Sequence, residues 1–268
     1  MKAVAEIAVN VFRESVRDKV LYNLVLFAIL MMGASYLIGQ LTAGQDVKII
    51  KDLGLSATSV FGLFIAVFIG IGLVSKEVER RSIYSLLAKP IHRHHIILGK
   101  YVGLSLTLLV NVAVMTFALY VVLFYMRWGV DPSVQRAWDA PALDPRLLQA
   151  TGLIFVELLI VTGIALFFST FSTPLLSAAF TFGLVVVGHF SSDLRNFQDV
   201  VESSFAQWIA RAVYWVLPNL AQYDVKAQVV HGQTIPVLYI VMATGYAVLY
   251  ISMLLVIAGF VFSRRDFK

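Results

Sequence analysis

Long stretches of this chain carry no charged side chain at all, and that pattern constrains its fold more than any other feature. Val20–Gln45, Leu53–Ser75, Tyr101–Met126 and Ala227–Ser263 contain no Asp, Glu, Lys or Arg, and Leu147–Ser192 contains only Glu157. Inside a bilayer every backbone amide must find its hydrogen bond within the protein, so a run of about 20 apolar residues becomes a membrane-crossing helix. Composition points the same way: 59% of the 268 residues are apolar, 14% are charged, and the mean hydropathy is +0.83. A soluble domain carries roughly 25% charged residues, so a water-soluble globule and a disordered chain are both excluded. With no cysteine, a disulfide scaffold is excluded as well. The net charge of +5 matters here for its placement and gives no reason to expect nucleic acid as a partner.

The charge-free runs supply six spans: Tyr22–Leu41, Leu53–Ser75, Tyr101–Met126, two within Leu147–Ser192, and Pro236–Phe262. Ser169–Pro174 separates the fourth from the fifth, because proline cannot continue a helix and clustered Ser and Thr favour caps and turns. With both termini on one side, Lys and Arg divide 13 to 8 in favour of that side. The positive-inside rule therefore predicts cytoplasmic termini in a multi-pass protein of the bacterial inner membrane, with Trp128, Trp208, Tyr214 and Trp215 as anchors on the outer rim. Residues 1–19 carry too many charges for a signal peptide. Val4, Ile7, Ala8, Val11 and Phe12 line one helical face there, fit for lying on the membrane surface or against a partner. Residues 20–268 then form the transmembrane domain.

Two connecting segments carry further information. In the cytoplasmic segment 75–100, Glu77 and Arg81 form an i,i+4 pair, Ile83, Leu86 and Leu87 offer an apolar edge, and Pro90 ends the helix. In the outer segment 191–235, Val201, Phe205, Trp208, Ile209, Ala212, Val213 and Val216 repeat at helical spacing up to Pro218, opposite Asp199, Glu202, Gln207 and Arg211. That amphipathic helix, with Trp215 beside it, either anchors the fold at the interface or caps a path through the membrane. Glu157 falls near mid-membrane, where a lone carboxylate costs about 2.5–3.5 kcal/mol or more. It must face the bundle interior, with Asn111 as a candidate donor, as interhelical glue, as a lining of the cargo path or as a proton relay. His92, His94 and His95 cluster among Lys89, Arg93 and Lys100, a setting that disfavours a metal cation and suits a surface loop or a lipid headgroup. His189 and His231 read as interfacial side chains of the outer face.

The segment "KEVERRSIYSLLAKPIHRHHIILGKYVG" resembles the loop after the second span in permease subunits of ABC-2-type transporters, with its charged cluster Glu77–Arg81, its Leu86–Pro90 stretch and its Gly99–Lys100. "NVFRESVRDKVLYNL" at Asn10–Leu24 resembles the elbow of those permeases, and "STFSTPLLSAAFTFGLVVVGH" at Ser169–His189 resembles another of their segments. The branch serving copper-enzyme maturation is similar too. The resemblance implies an all-α integral membrane protein of six transmembrane helices, with an N-terminal amphipathic elbow helix, a cytoplasmic coupling helix and an outer amphipathic helix. It implies export driven by a separate ABC ATPase subunit, which would carry ATP and Mg²⁺, and pairing with a second copy or a related permease. Membrane lipid and an extracytoplasmic accessory protein are further expected partners. Glu77, Glu79, Arg80, Arg81 and Tyr84 are the expected ATPase-docking residues. Glycine–lysine at Gly99–Lys100 is no phosphate loop, since His94 and Tyr101 stand where such a loop needs Gly and Ser/Thr, so no cofactor is expected on this chain.

Two other classes compete with this reading. An intramembrane protease would pair glutamates with distant histidines, but Glu77 and Glu79 are split by Val78 and lie outside the spans. A secondary transporter would show midplane helices broken by Gly or Pro, and Gly70 and Gly72 alone do not make one.

Overall fold

A computed structural model of the chain describes residues 2–41, 45–79, 93–136, 138–190 and 217–264. Among the described residues the regular elements are all helical: α1 (Lys2–Ser15), α2 (Lys19–Gln40), α3 (Asp46–Glu79), α4 (Arg93–Trp128), α5 (Pro132–Gln135), α6 (Arg146–Ser169), α7 (Pro174–His189), α8 (Lys226–Val230) and α9 (Val237–Arg264), with a 3₁₀ turn at Ala221–Tyr223. The local rules explain where they stop and start. Asp18 caps α2 by accepting from the Val20 amide at 3.0 Å. Pro174 opens α7 at the first helical position, where its missing N–H costs nothing.

Among the described residues five helices, α2, α3, α4, α6 and α9, are long and apolar enough to cross a membrane. The expected fifth span, α7, has 16 residues, a length of about 24 Å against a hydrocarbon core of about 30 Å. Helices α3 and α4 overrun their apolar cores. The first begins at Asp46 rather than Leu53 and continues to Glu79, and the second begins at Arg93 rather than Tyr101. Charges end a hydropathy signal, but Lys, Arg and Glu are good helix formers and do not end a helix.

The chain runs up and down through the bundle, so the elbow α1, the far end of α3, the start of α4 and the end of α9 share one side, here called the elbow side. Helix α6 is enclosed by α3, α4, α7 and α9. In its most apolar window 67% of residues are buried, against 22% in α2 and α9, which makes those two the outward-facing helices of the bundle. Lipid tails are as apolar as Leu, so packing and small residues, rather than escape from water, hold such helices together. The hydroxyls of Thr58, Thr107, Thr116, Thr162 and Thr181 each bond a carbonyl one turn back on their own helix, so they bring no unsatisfied group into the bundle.

Helix α1 lies across the start of α4. Its buried residues Ala8, Val11 and Ser15 are on the apolar face read from the sequence or one turn beyond it. The approach is close because α4 presents Gly99 and Gly103, four residues apart on one face. A Cβ at Gly99 would stand 2.7 Å from Ile7, and one at Gly103 would stand 2.6 Å from the Ala8 carbonyl oxygen. This is small-xxx-small packing, which lets two helix backbones nearly touch.

Candidate functional site

Glu157 is the twelfth of the 24 residues of α6, and it is 5% exposed. Its Oε1 lies 3.2 Å from Nε2 of His189, the last residue of α7. The other ring nitrogen, Nδ1, is 3.0 Å from the Val185 carbonyl oxygen. A carbonyl only accepts, so Nδ1 carries a proton and donates it there. The nitrogen facing Glu157 then either donates, as part of an imidazolium beside a carboxylate, or accepts from a protonated carboxyl. One proton is shared, and the pair has zero net charge in both arrangements. This is how a carboxylate is tolerated in mid-membrane without Lys or Arg at its depth.

Asn111, the donor expected for Glu157, instead gives its amide to the Thr107 carbonyl at 2.7 Å on its own helix. His189, read from the sequence as an outer interfacial residue, is the partner of the buried acid. Hairpin register explains the pairing. The chain runs 12 residues from Glu157 to Ser169, turns, and climbs the length of α7 back to His189. The signal was available, because His189 is the one other titratable side chain of Leu147–Ser192.

The chain beyond α7 also departs from the sequence reading, which placed 191–235 at the outer surface. The stretch from Leu217 to Val225 packs inside the bundle. The Leu220 amide donates to the Gly188 carbonyl at 3.0 Å, and a Cβ on Gly188 would stand 2.8 Å from the Pro218 oxygen. Tyrosines of α9 complete the fit: the Asn219 amide donates to Tyr246 Oη at 3.1 Å, and Tyr239 donates to the Gln222 carbonyl at 2.5 Å. Tyr223, fully buried, donates in turn to the Ala243 carbonyl at 2.8 Å. Tyr246 lies about 14 Å along α9 from Val237. Non-helical backbone at such depth is tolerated only when protein surrounds it, and Leu220, Tyr223, Val225 and Val229 are each no more than 2% exposed.

The far side is tied by polar contacts. Lys51, 1% exposed, donates to the Pro141 carbonyl at 2.9 Å. Lys48 meets Asp139 at 2.5 Å, and its hydrogen bond and charge hold that carboxyl below its ordinary pKa. Tyr120 donates to the Asp144 carbonyl at 2.8 Å, while Arg146 donates to the carbonyl of Gly232. Gly232 turns with φ +71°, a conformation that side chains other than glycine rarely take.

Of the residues expected to dock an ATPase, the structure describes two, both at the elbow-side end of α3. Glu77 and Glu79 belong to the last turns of α3, whereas Arg80, Arg81 and Tyr84 lie outside the described residues. So do His92 and the outer-helix residues Phe205, Trp208 and Trp215. His94 and His95 start α4 with ring centroids 4.3 Å apart, and among the described residues no three His, Cys, Asp or Glu side chains gather as a metal site would require. Sequence reasoning missed Lys51 and Tyr223, which sit in stretches that read as ordinary span edge and loop. It also missed the Gly99–Gly103 pair as a packing surface, although the spacing itself was visible.

No curated protein matches the sequence. A family model does: that of the ABC-2 family transporter proteins matches residues 5–267, nearly the whole chain. A bundle of apolar helices with a docked amphipathic first helix, and a family match of that extent, lead to one conclusion: this chain belongs to the ABC-2 transporter family, as a membrane-embedded permease component of an ABC transporter.

Proposed function

We propose that the chain is the permease of an ATP-driven exporter, working with a separate ATPase subunit that binds ATP and Mg²⁺, and with a second permease copy or a related permease. On this reading the chain sits in the bacterial inner membrane with both termini facing the cytoplasm. The observation that carries this reading is that α3 and α4 both run past their charge-free stretches on the elbow side, α3 beyond Ser75 to Glu79 and α4 starting at Arg93 ahead of Tyr101. They bracket the charged segment holding Arg80, Arg81 and Tyr84. Two continuous helices, 34 and 36 residues long, form levers: displacement of the segment between them is passed to α6, against which both pack. Closure of the ATPases would push that segment, tilt α3 and α4, and change which side the bundle opens to.

Substrate class follows from the interior. Among the described residues the middle of the core is mostly apolar, with Glu157 and His189 as a neutral pair and the other buried charges, Lys51, Lys100 and Asp144, near the helix ends, which suits an amphipathic or lipid-linked cargo better than an ion. The test is a pull-down of the ATPase, the copurifying ABC subunit of the native complex, with Arg80→Glu combined with Arg81→Glu. Release of the ATPase with the permease still monodisperse is expected. Stoichiometric retention would remove these residues from the docking surface.

A further inference from the structure

The ring of His189 stands between two acceptors, with Nε2 at 3.2 Å from Glu157 Oε1 and Nδ1 at 3.0 Å from the Val185 carbonyl oxygen. A neutral imidazole carries one N–H and an ionised carboxylate carries none, so the two side chains alone have one donor for two contacts. Either tautomer then leaves two lone pairs face to face, at Glu157 or at Val185, and a negative charge buried on α6. One added proton, on Nε2 or on the carboxyl, satisfies both contacts and removes the charge. Among the described residues nothing nearby substitutes for it. Helix α6 packs against α3, α4, α7, α8, α9 and the 3₁₀ turn. Leu53–Ser75 of α3, Val102–Leu119 of α4 and the rest of α7 contain no titratable side chain. Tyr101 of α4 donates to the Leu159 carbonyl at 3.2 Å, Tyr223 of the turn to that of Ala243, and Tyr239 of α9 to that of Gln222. Tyr246 of α9 accepts from the Asn219 amide and stacks on Tyr250. Asp224, whose charge reaches His189, is paired with Lys226 of α8 at 3.5 Å.

We infer that Glu157 and His189 form a proton-operated latch: one bound proton holds the His189 end of α7 against α6, and its loss frees that end. The latch reaches beyond the pair, because the Leu220 amide donates to the carbonyl of Gly188, the residue before His189, at 3.0 Å. Freeing the end of α7 therefore loosens the buried stretch Leu217–Val225 as well. Proton counting gives the sign. In a freed pair the carboxyl is ionised and the imidazole is neutral above about pH 6.5, so the latched pair holds one proton more. Rising pH shifts the balance towards the freed state, and below about pH 6.5 both states hold the proton and the dependence vanishes. Glutamine at 157 imitates the protonated carboxyl: its amide N–H donates to Nε2 while Nδ1 keeps the bond to Val185. That proton cannot be titrated away, so Glu157→Gln keeps the latch shut at every pH.

The test is amide hydrogen exchange read by mass spectrometry on the full-length native protein and on Glu157→Gln, both in phosphatidylcholine nanodiscs, between about pH 6 and about pH 9. Exchange in the native protein is divided by that in the variant at each pH, which cancels the intrinsic pH dependence of amide exchange. Near pH 6 the ratio is expected to be about one everywhere. Above about pH 6.5 it should rise in peptides covering 185–190 and 217–225, by up to tenfold per pH unit, the slope that release of one proton produces. Peptides within Leu108–Leu119 of α4 should keep a ratio of one. A ratio that stays flat, or that rises evenly over the whole bundle, would overturn the latch. So would a Glu157→Gln protein that exchanges fast in these peptides at the lowest pH or is not monodisperse in gel filtration, because glutamine has to hold the same contacts.

Discussion

On the elbow side, α1 is held to α4 by methyl groups and bare backbone laid across Gly99 and Gly103. On the far side, α3, α6 and the loops between helices are held by Lys51 on Pro141, Lys48 on Asp139, Tyr120 on Asp144 and Arg146 on Gly232. The difference is one of directionality. Dispersion contacts between smooth surfaces change little when helices slide or tilt by a fraction of a turn, whereas a hydrogen bond weakens steeply once its angle is lost. Among the described residues the far side is thus held by directional bonds, and the α1–α4 contact by close apolar packing. If an ATPase acts on the elbow side, as proposed, motion would enter at the less directional of these contacts.

The largest effect in breaking this comparison should come from Gly103→Leu. Even the first added carbon meets the Ala8 oxygen at 2.6 Å, so overpacking of about 3 kcal/mol is expected. Thermal unfolding should move down, and trypsin should cut at Arg13 or Arg17 several-fold faster as α1 lifts; unchanged cleavage would mean that the contact is slack. Next is the mid-membrane pair. Glu157→Leu leaves an imidazole without its partner, while Glu157→Gln keeps a hydrogen-bonding group. A double-mutant cycle with His189→Gln should return a coupling of about 1–2 kcal/mol. If Gln preserves stability yet abolishes transport, the carboxyl moves a proton; if both survive, the pair is interhelical glue.

Smaller effects test the far side. Lys51→Met keeps the buried methylenes and removes the bond to Pro141, at a cost of about 1 kcal/mol, readable as a lower unfolding midpoint. The smallest belongs to Asp139, whose carboxyl is held below its ordinary pKa by Lys48. A depressed folded-state pKa gives stability that is present above the unfolded value, about 3.9, and is lost as pH falls through the folded value. The native protein should therefore lose slightly more stability than Asp139→Asn below about pH 4. An identical acid limb would show that the exposed pair contributes nothing.

Much of the bundle was legible because the bilayer enforces a simple rule: where water is absent, charge is absent. Tyr22–Leu41 and Leu147–Ser169 are readable on that ground, and Ser169–Pro174 marks the hairpin by its turn chemistry. Helix ends are less legible, since Lys48, Lys51 and Arg93 interrupt hydropathy without interrupting helix. The stretch 217–235 is the hardest. Its polar composition reads as an outer loop, and the hydroxyls of Tyr223, Tyr239 and Tyr246 with the carbonyl of Gly188 help to satisfy the part that is buried, around 218–225. Glu157 was visible at once, but its partner depended on how far α7 climbs, which apolar side chains do not specify.

The hydrogen bond between Leu220 and Gly188 has an evolutionary consequence. Helix α7 ends at His189, and Pro218 and Leu220 lie against that same helix end, so the stretch between begins and ends at one point of the bundle. Doubling the length of such an insert adds only about 0.6 kcal/mol of closure entropy. Relatives could therefore lengthen or shorten that stretch at little cost to the bundle.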